Sequence, residues 1–115
     1  MVIRKVIAMR PFVRQLKVQG LKGYAQEITT AIRDNPFQGS VIPGTPGLRK
    51  VRFALKGSGK RGGLRILYLV VVVRGEAFLL GVIKKSKYSD FSREAISVAC
   101  ELARSIKHGR TEKND

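Results

Sequence analysis

The sequence predicts a small single α+β domain, and three observations carry this prediction. The chain has 115 residues, of which 43% are hydrophobic, so it suits one domain with one core. Apolar residues recur at helical spacing over residues 21–34 and 92–107. Between these segments, residues 48–55, 64–73 and 77–83 have the composition of strands. No internal repeat or domain boundary interrupts this pattern.

The N-terminal third is predicted to hold a strand, a short turn or helix, and a longer helix. Residues 2–8 (VIRKVIA) are rich in β-branched side chains, which predicts a strand. A proline ends this strand, and residues 12–17 form a short helix or a turn. An Asn-Pro pair stops the helix over residues 21–34, because a residue before proline disfavours helical backbone. Residues 37–47 are punctuated by Gly and Pro and are expected to be an irregular connection.

Three strands and a helix are predicted to follow. Residues 64–73 (LRILYLVVVV) are nearly all apolar, which is typical of a central strand buried on both faces. A short hairpin turn (RGE) returns the chain along residues 77–83. Ser92 is a suitable N-cap for the last helix, and Glu94 lies near the positive end of the helix dipole.

The strand over residues 48–55 (LRKVRFAL) has two different faces. Alternation places Lys50 and Arg52 together on one face of this strand. The opposite face is the core face, and it is formed by Val51, Phe53 and Leu55. The basic, glycine-rich segment that follows (KGSGKRGG, residues 56–63) lacks the spacing of a P-loop. We expect its cations to lie along a phosphate backbone; they are Lys56, Lys60 and Arg61.

The charge balance points to a polyanionic partner. The chain carries 23 Lys and Arg against 8 Asp and Glu, a formal net charge of +15. No acidic residue occurs between Asp34 and Glu76, where basic residues are frequent. A solvated surface usually mixes both signs, so this stretch favours a nucleic-acid or ribosome partner over a generally basic surface.

Composition also excludes several function classes. Cys100 is the only cysteine and His108 the only histidine, which excludes an internal disulfide and a zinc site made of Cys and His. A lone cysteine suits the reducing cytoplasm, and no secretory signal is visible. The longest apolar run, residues 66–73, is far shorter than the ~18 residues of a transmembrane helix. We therefore expect a cytoplasmic protein that uses no metal and no cofactor.

Arg65 is the most informative charged residue. It begins the most apolar segment of the chain, where an unpaired buried cation costs several kcal/mol. Two interpretations stay open: the guanidinium binds an anion at the sheet surface, or it pairs with Asp90 or Glu94.

The predicted topology brings other cations towards Arg65. In an antiparallel hairpin, the end of the second strand returns near the start of the first, so Lys84 and Lys85 are expected near Arg65. Lys50 and Arg52 lie on a neighbouring strand. The alternative is that Lys84, Lys85 and Lys87 form a solvated loop. Of the aromatic residues nearby, Tyr88 is the better candidate to stack a base and Phe91 the better hydrophobic staple.

A family resemblance sharpens this interpretation. The segment PGTPGLRKVRFALKGSGKRGGLRILYLV, followed by KKSKYSDFSREA, resembles the RelE/HigB-type toxins of bacterial type II toxin–antitoxin systems. The shared features are a GLRK-x-R strand, a Gly/Lys-rich loop, an R-[IV]-[IL]-Y strand and a K-x-x-x-SD-[LF] segment. The resemblance implies N-terminal helices packed on a twisted, mostly antiparallel sheet that a C-terminal helix closes. The domain would span residues 1–107, with a polar tail over residues 108–115.

The resemblance also implies a function. Such toxins cut mRNA in the ribosomal A site and are silenced by a cognate antitoxin protein. The motif matches imply four catalytic residues, Lys50, Arg52, Arg65 and Lys85, and further contacts to RNA or the ribosome through Arg49, Lys56, Lys60, Arg61, Lys84, Lys87 and Tyr88. Some relatives place a catalytic Tyr near the last helix, whereas this chain has Asp-Phe-Ser there.

Two other functions stay open at the level of sequence. Proteins of this fold include ParE-like gyrase inhibitors, so the fold alone does not settle the activity. The charge is also compatible with a non-enzymatic RNA- or ribosome-binding module. If the chain is a nuclease, Arg65 and Lys85 neutralise phosphate charge, and Lys50 or Lys85 transfers protons.

Overall fold

A five-stranded sheet organises the chain. The structure is a computed structural model that describes residues 2–54 and 63–109. Its strands and helices, in chain order, are β1 (Lys5–Ala8), α1 (Arg10–Val18), α2 (Ala25–Asp34), β2 (Ser40–Val41), β3 (Arg49–Phe53), β4 (Leu64–Val71), β5 (Glu76–Lys84) and α3 (Arg93–Lys107). Short 3-10 turns cover Lys22–Tyr24 and Val72–Arg74. None of the helices in these described ranges has the length and hydropathy to cross a bilayer.

The strands are arranged in the order β1-β5-β4-β3-β2. β1 runs parallel to β5, and the other neighbours are antiparallel. This confirms the predicted α+β class, the mostly antiparallel sheet and the central position of the apolar strand. The register places Arg52 of β3, Arg65 of β4 and Ile83 of β5 side by side across the sheet.

Each face of the sheet packs against helices. On the face that we call the α1/α2 face, Leu64, Ile66 and Tyr68 pack with apolar residues of the two N-terminal helices: Phe12, Leu16, Ile28 and Ile32. On the opposite face, the α3 face, Leu67 and Leu69 pack with residues of the C-terminal helix: Ala99, Ala103 and Ile106. Burial of both faces explains why β4 has no alternation of polar residues beyond Arg65.

A β-bulge keeps the two faces in register along β5. Leu67 pairs with Gly81 and Tyr68 with Leu79, so Leu80 is an extra residue on β5. A strand without this bulge would reverse its faces on one side of the irregularity. The bulge therefore allows Leu79 and Val82 to share the α1/α2 face while Ile83 lies on the α3 face.

Several boundaries differ from the sequence-based predictions. The segment predicted as a short helix or turn is the helix α1, which has a proline at its N-terminal end, where the missing N–H costs no helical hydrogen bond. The longer predicted helix over residues 21–34 divides into a 3-10 turn and α2. β2 was not predicted, because a strand of 2 residues carries no periodicity. Ser92 caps α3 as predicted and accepts a hydrogen bond from the Ala95 N–H at 3.0 Å.

Candidate nucleic-acid interface

Three of the predicted catalytic cations project from one face of the sheet. Lys50 pairs in register with Leu67, and Arg52 pairs with Arg65. Leu67 belongs to the α3 face, and residues directly opposite in a β-ladder point to the same side. Lys50, Arg52 and Arg65 therefore lie together on the α3 face; we call them the cationic cluster. The structure thus shows the placement of Lys50 and Arg52 that strand alternation predicted.

Arg65 is half-buried and has an unsatisfied donor. Its Nε atom is buried and makes no hydrogen bond to any of the described residues. Within the described residues, neither Asp90 nor Glu94 forms an ion pair with it. A buried donor without a partner is costly, so the site favours an anion that would accept from this guanidinium. The charge of Arg65 still acts on Asp90 at longer range, so the anion site stays a prediction, which the unpartnered Nε–H favours.

Asp90 is the acidic group of the cluster. Its Oδ2 atom lies 2.6 Å from the Lys50 Nζ atom, and its Oδ1 atom accepts a hydrogen bond from the Phe91 N–H at 2.8 Å. The hydrogen bond from Lys50 is the main cause that lowers the pKa of Asp90, against the opposing effect of burial. The Phe91 N–H and the positive charges of Lys50 and Arg65 lower it further. The carboxylate is therefore ionised at neutral pH. It lies beside the cations, in a position that would also suit an RNA phosphate.

Sequence reasoning considered Asp90 only as a partner for Arg65. The pairing with Lys50 joins residues 40 positions apart, which no local pattern reveals. One signal was available: Asp90 is the sole acid between Glu76 and Glu94, in a segment otherwise rich in lysine.

The Asp90–Lys50 pair makes stability depend on pH. Since folding lowers the pKa of Asp90, the pair stabilises the fold above the ordinary pKa of 3.8 and loses this effect as the pH falls through the lower folded value. We expect the difference in free energy of unfolding between the wild type and Asp90→Asn to shrink between pH 7 and pH 3. Urea denaturation at both pH values measures it, and a difference that does not change with pH contradicts this assignment.

Two of the predicted RNA-contacting cations lie away from the cluster. Arg49 pairs with Tyr68 and so lies on the α1/α2 face, where its Nη1 atom donates to the Gly39 carbonyl at 2.6 Å. Its guanidinium also lies 5.0 Å from the ring centroid of Phe37. These contacts give Arg49 a structural role in holding the segment before β3. Lys84 pairs with Leu64 and therefore also belongs to the α1/α2 face.

The remaining predicted contacts lie in the turn after β5 or outside the described residues. The Lys85 N–H donates to the Gly63 carbonyl at 3.0 Å, which extends the ladder one residue beyond the pair of Leu64 and Lys84. Strand alternation then places Lys85 on the α3 face. Lys87 is exposed, and Tyr88 is 46% exposed. Three cations of the basic loop lie outside the described residues: Lys56, Lys60 and Arg61.

Phe91 and Tyr88 differ in burial. Phe91 is 8% exposed and belongs to the core on the α3 face, which suits a residue that anchors the start of α3. Tyr88, in contrast, is exposed.

Comparison with known proteins identifies the fold. No protein-family model matches the sequence. Among solved structures, the chain is similar to an Escherichia coli toxin RelE variant in the free state, with a TM-score of 0.58 over 89% of this chain and 98% of that chain. The chain has a RelE-like fold. The two sequences are only 16% identical, so the similarity establishes the RelE-like architecture and leaves the activity to be argued from the side chains.

Proposed function

We propose that this protein is a toxin of a bacterial type II toxin–antitoxin system, of the RelE/HigB type, that cuts mRNA on the ribosome. The observation that carries the proposal is the cationic cluster, with a buried Arg65 Nε–H that has no hydrogen-bond partner in the part of the chain that the structure describes. In this proposal the protein acts in the bacterial cytoplasm, binds mRNA in the ribosomal A site and is silenced by a cognate antitoxin protein. The RelE-like fold supports this choice among the polyanion-binding functions.

The cluster fits the charge requirements of RNA cleavage by the neighbouring 2′-hydroxyl. The 2′-oxygen attacks phosphorus, the bond from phosphorus to the 5′-oxygen breaks, and the products are a 2′,3′-cyclic phosphate and a 5′-hydroxyl. Negative charge develops on the phosphate oxygens during this step. Arg65 and Arg52 lie side by side on adjacent strands, so both guanidinium groups can neutralise that charge.

Two proton transfers complete the reaction. One group removes the proton of the 2′-hydroxyl, and another protonates the departing 5′-oxygen. Lys50 and Lys85 are the proposed proton-transfer groups, one on each side of Arg65. The chain's only imidazole, His108, follows the C-terminal end of α3 and takes no part. Because this set of groups is weakly activating, we propose that the ribosome orients the RNA for in-line attack.

A cleavage assay with programmed ribosomes tests the proposal. Purified protein is incubated with an mRNA alone, and with the same mRNA in ribosomes that hold an open A site. We expect cuts within the A-site codon only when ribosomes are present, detected by primer extension. Intact mRNA together with inhibition of DNA supercoiling by gyrase would instead identify a ParE-like inhibitor. RNA binding without any cut would identify a non-enzymatic module.

Removal of the carboxylate of Asp90 is expected to strengthen RNA binding. The change Asp90→Asn releases Lys50 and removes a negative charge from the cluster, so affinity for single-stranded RNA rises roughly threefold to tenfold at low salt. The slope of log affinity against log salt steepens by about 0.7, as one further phosphate contact predicts. Fluorescence anisotropy over a salt series measures both quantities.

The matched control is Glu27→Gln, which makes the same change of charge at an exposed position on α2. Equal effects of the two substitutions would show that net charge alone, and not the position of Asp90, limits binding.

A further inference from the structure

A small cavity lies at the edge of β5 and includes Ile83, the strand neighbour of Arg65. Its volume is about 280 Å³, and it is lined by Arg14, Gln15, Val18, Gln19, Ile83 and Tyr88. We call it the α1 cavity, since four of these residues belong to α1 or directly follow it. Small-molecule sites usually measure about 300–1,000 Å³, so this cavity suits a single planar group.

Hydrogen bonds fix the wall of the α1 cavity. β1 pairs with β5 only as far as Leu79, which leaves the rest of the β5 edge without a strand partner. Gln15 accepts from the Val82 N–H at 2.8 Å, and Gln19 donates to the Val82 carbonyl at 2.8 Å and accepts from the Lys84 N–H at 3.0 Å. One side chain of α1 and that of its C-cap residue, Gln19, thus take the place of a neighbouring strand. The cavity wall is therefore held in a fixed position beside Ile83.

The α1 cavity continues a row of residues that crosses the sheet. Arg52, Arg65 and Ile83 are direct neighbours on β3, β4 and β5, and adjacent strands lie about 4.8 Å apart. The row therefore begins with two guanidinium groups, continues with the apolar side chain of Ile83 and ends at the cavity wall that α1 forms. The groups of a nucleotide follow in a matching order, because its phosphate is joined through the sugar to a planar base.

The surfaces around the cavity suit a base. Tyr88 is 46% exposed and Val18 is 78% exposed, so an aromatic ring and an aliphatic side chain flank the opening. No acidic residue lines the cavity, and Arg14 adds a positive charge. Stacking on an aromatic ring is the main way in which proteins hold single-stranded bases.

We infer that the α1 cavity binds the nucleobase next to the phosphate held by the cationic cluster. Tyr88 stacks on the base, and Val18 and Arg14 determine which bases fit. This inference rests on the proposed function for the identity of the ligand as RNA. It assigns to α1, which carries none of the predicted catalytic residues, a role in base preference.

Two glutamate substitutions on α1 test the inference. Val18→Glu places a charge at the cavity, whereas Val13→Glu makes the same change at another exposed position of α1 that does not line it. The probe is a short single-stranded RNA with 2-aminopurine at each position in turn and 2′-deoxy sugars that prevent cleavage. Stacking on Tyr88 quenches the fluorescence of this base.

We expect the wild type to quench 2-aminopurine at one position of the RNA. Val18→Glu should weaken binding at least about tenfold more than Val13→Glu and abolish the quenching, and Tyr88→Ala should abolish it as well. Equal binding by the two glutamate variants, or quenching that persists in both Val18→Glu and Tyr88→Ala, overturns the inference. Because binding is measured without cleavage, a protein that quenches the probe but cuts no mRNA on ribosomes refutes the proposed function and leaves the base site standing.

Discussion

Arg65→Ala is expected to reduce mRNA cleavage on programmed ribosomes by about 10²–10³, the usual cost of losing one donor that stabilises charge in a transition state. Arg65 belongs to the cationic cluster, and its buried Nε–H has no hydrogen-bond partner among residues 2–54 and 63–109. Arg65→Lys should recover only part of the activity, since an ammonium group keeps the charge but loses the planar pair of donors. Rates from primer extension under single-turnover conditions measure both variants.

Stability separates a functional role of Arg65 from a structural one. Within the described residues Arg65 forms no ion pair, so its removal deletes an unsatisfied donor and costs the longer-range attraction by which its charge lowers the pKa of Asp90. These two effects oppose each other, so we expect the melting temperature of Arg65→Ala to stay close to that of the wild type. Arg33→Ala, which removes the same charge from an exposed position of α2, should leave cleavage unchanged. A fully active Arg65→Ala protein would remove Arg65 from the site.

Tyr68→Phe is expected to lower the free energy of unfolding by about 1–3 kcal/mol, although it removes a single oxygen atom. The Tyr68 side chain is fully buried, and its hydroxyl donates to the Pro36 carbonyl and accepts from the Gly39 N–H, both at 2.9 Å. Burial raises the pKa of Tyr68, so the hydroxyl remains a donor at neutral pH. The substitution leaves both backbone groups without a partner.

The loss extends beyond two hydrogen bonds. The Gly39 carbonyl accepts from Arg49, and a Cβ atom added at Gly39 would lie 2.8 Å from the Tyr68 hydroxyl. This close packing fixes the segment that leads into β2 and supports β3, which carries Lys50. Urea denaturation measures the effect, with Tyr88→Phe as a control at an exposed tyrosine. A Tyr68→Phe protein as stable as the wild type would show that the hydroxyl bonds contribute nothing.

Patterns within single strands and helices were sufficient to predict much of this fold. The apolar run of β4, the Ser92 cap and the alternation of β3 are local features, and each has its predicted place in the structure. Alternation along β3 also predicted that Lys50 and Arg52 share a face. The antiparallel hairpin of β4 and β5 places Lys85 on the same face as Arg65, two residues along the chain from Ile83, the residue that pairs with Arg65.

Features that depend on distant partners were not predictable in this way. Two contacts depend on how separate segments pack. One joins Lys50 to Asp90, and the other joins Arg49 to Gly39 and Phe37. The support of the β5 edge by Gln15 and Gln19 likewise joins residues more than 60 positions apart. Two glutamines at helical spacing are common in any helix, so no signal in the sequence predicted the α1 cavity.

The central claim is that an RNA phosphate binds to Arg65 within the cationic cluster. The most direct measurement is the Nε–H resonance of Arg65 in ¹H–¹⁵N spectra during titration with a short RNA that contains 2′-deoxy sugars. Binding predicts a saturable shift of this resonance, while the Nε–H of Arg74, which lies beside Glu76 at the other end of β4, stays in place. An Arg65 resonance that does not move while the RNA binds elsewhere would contradict the proposed site.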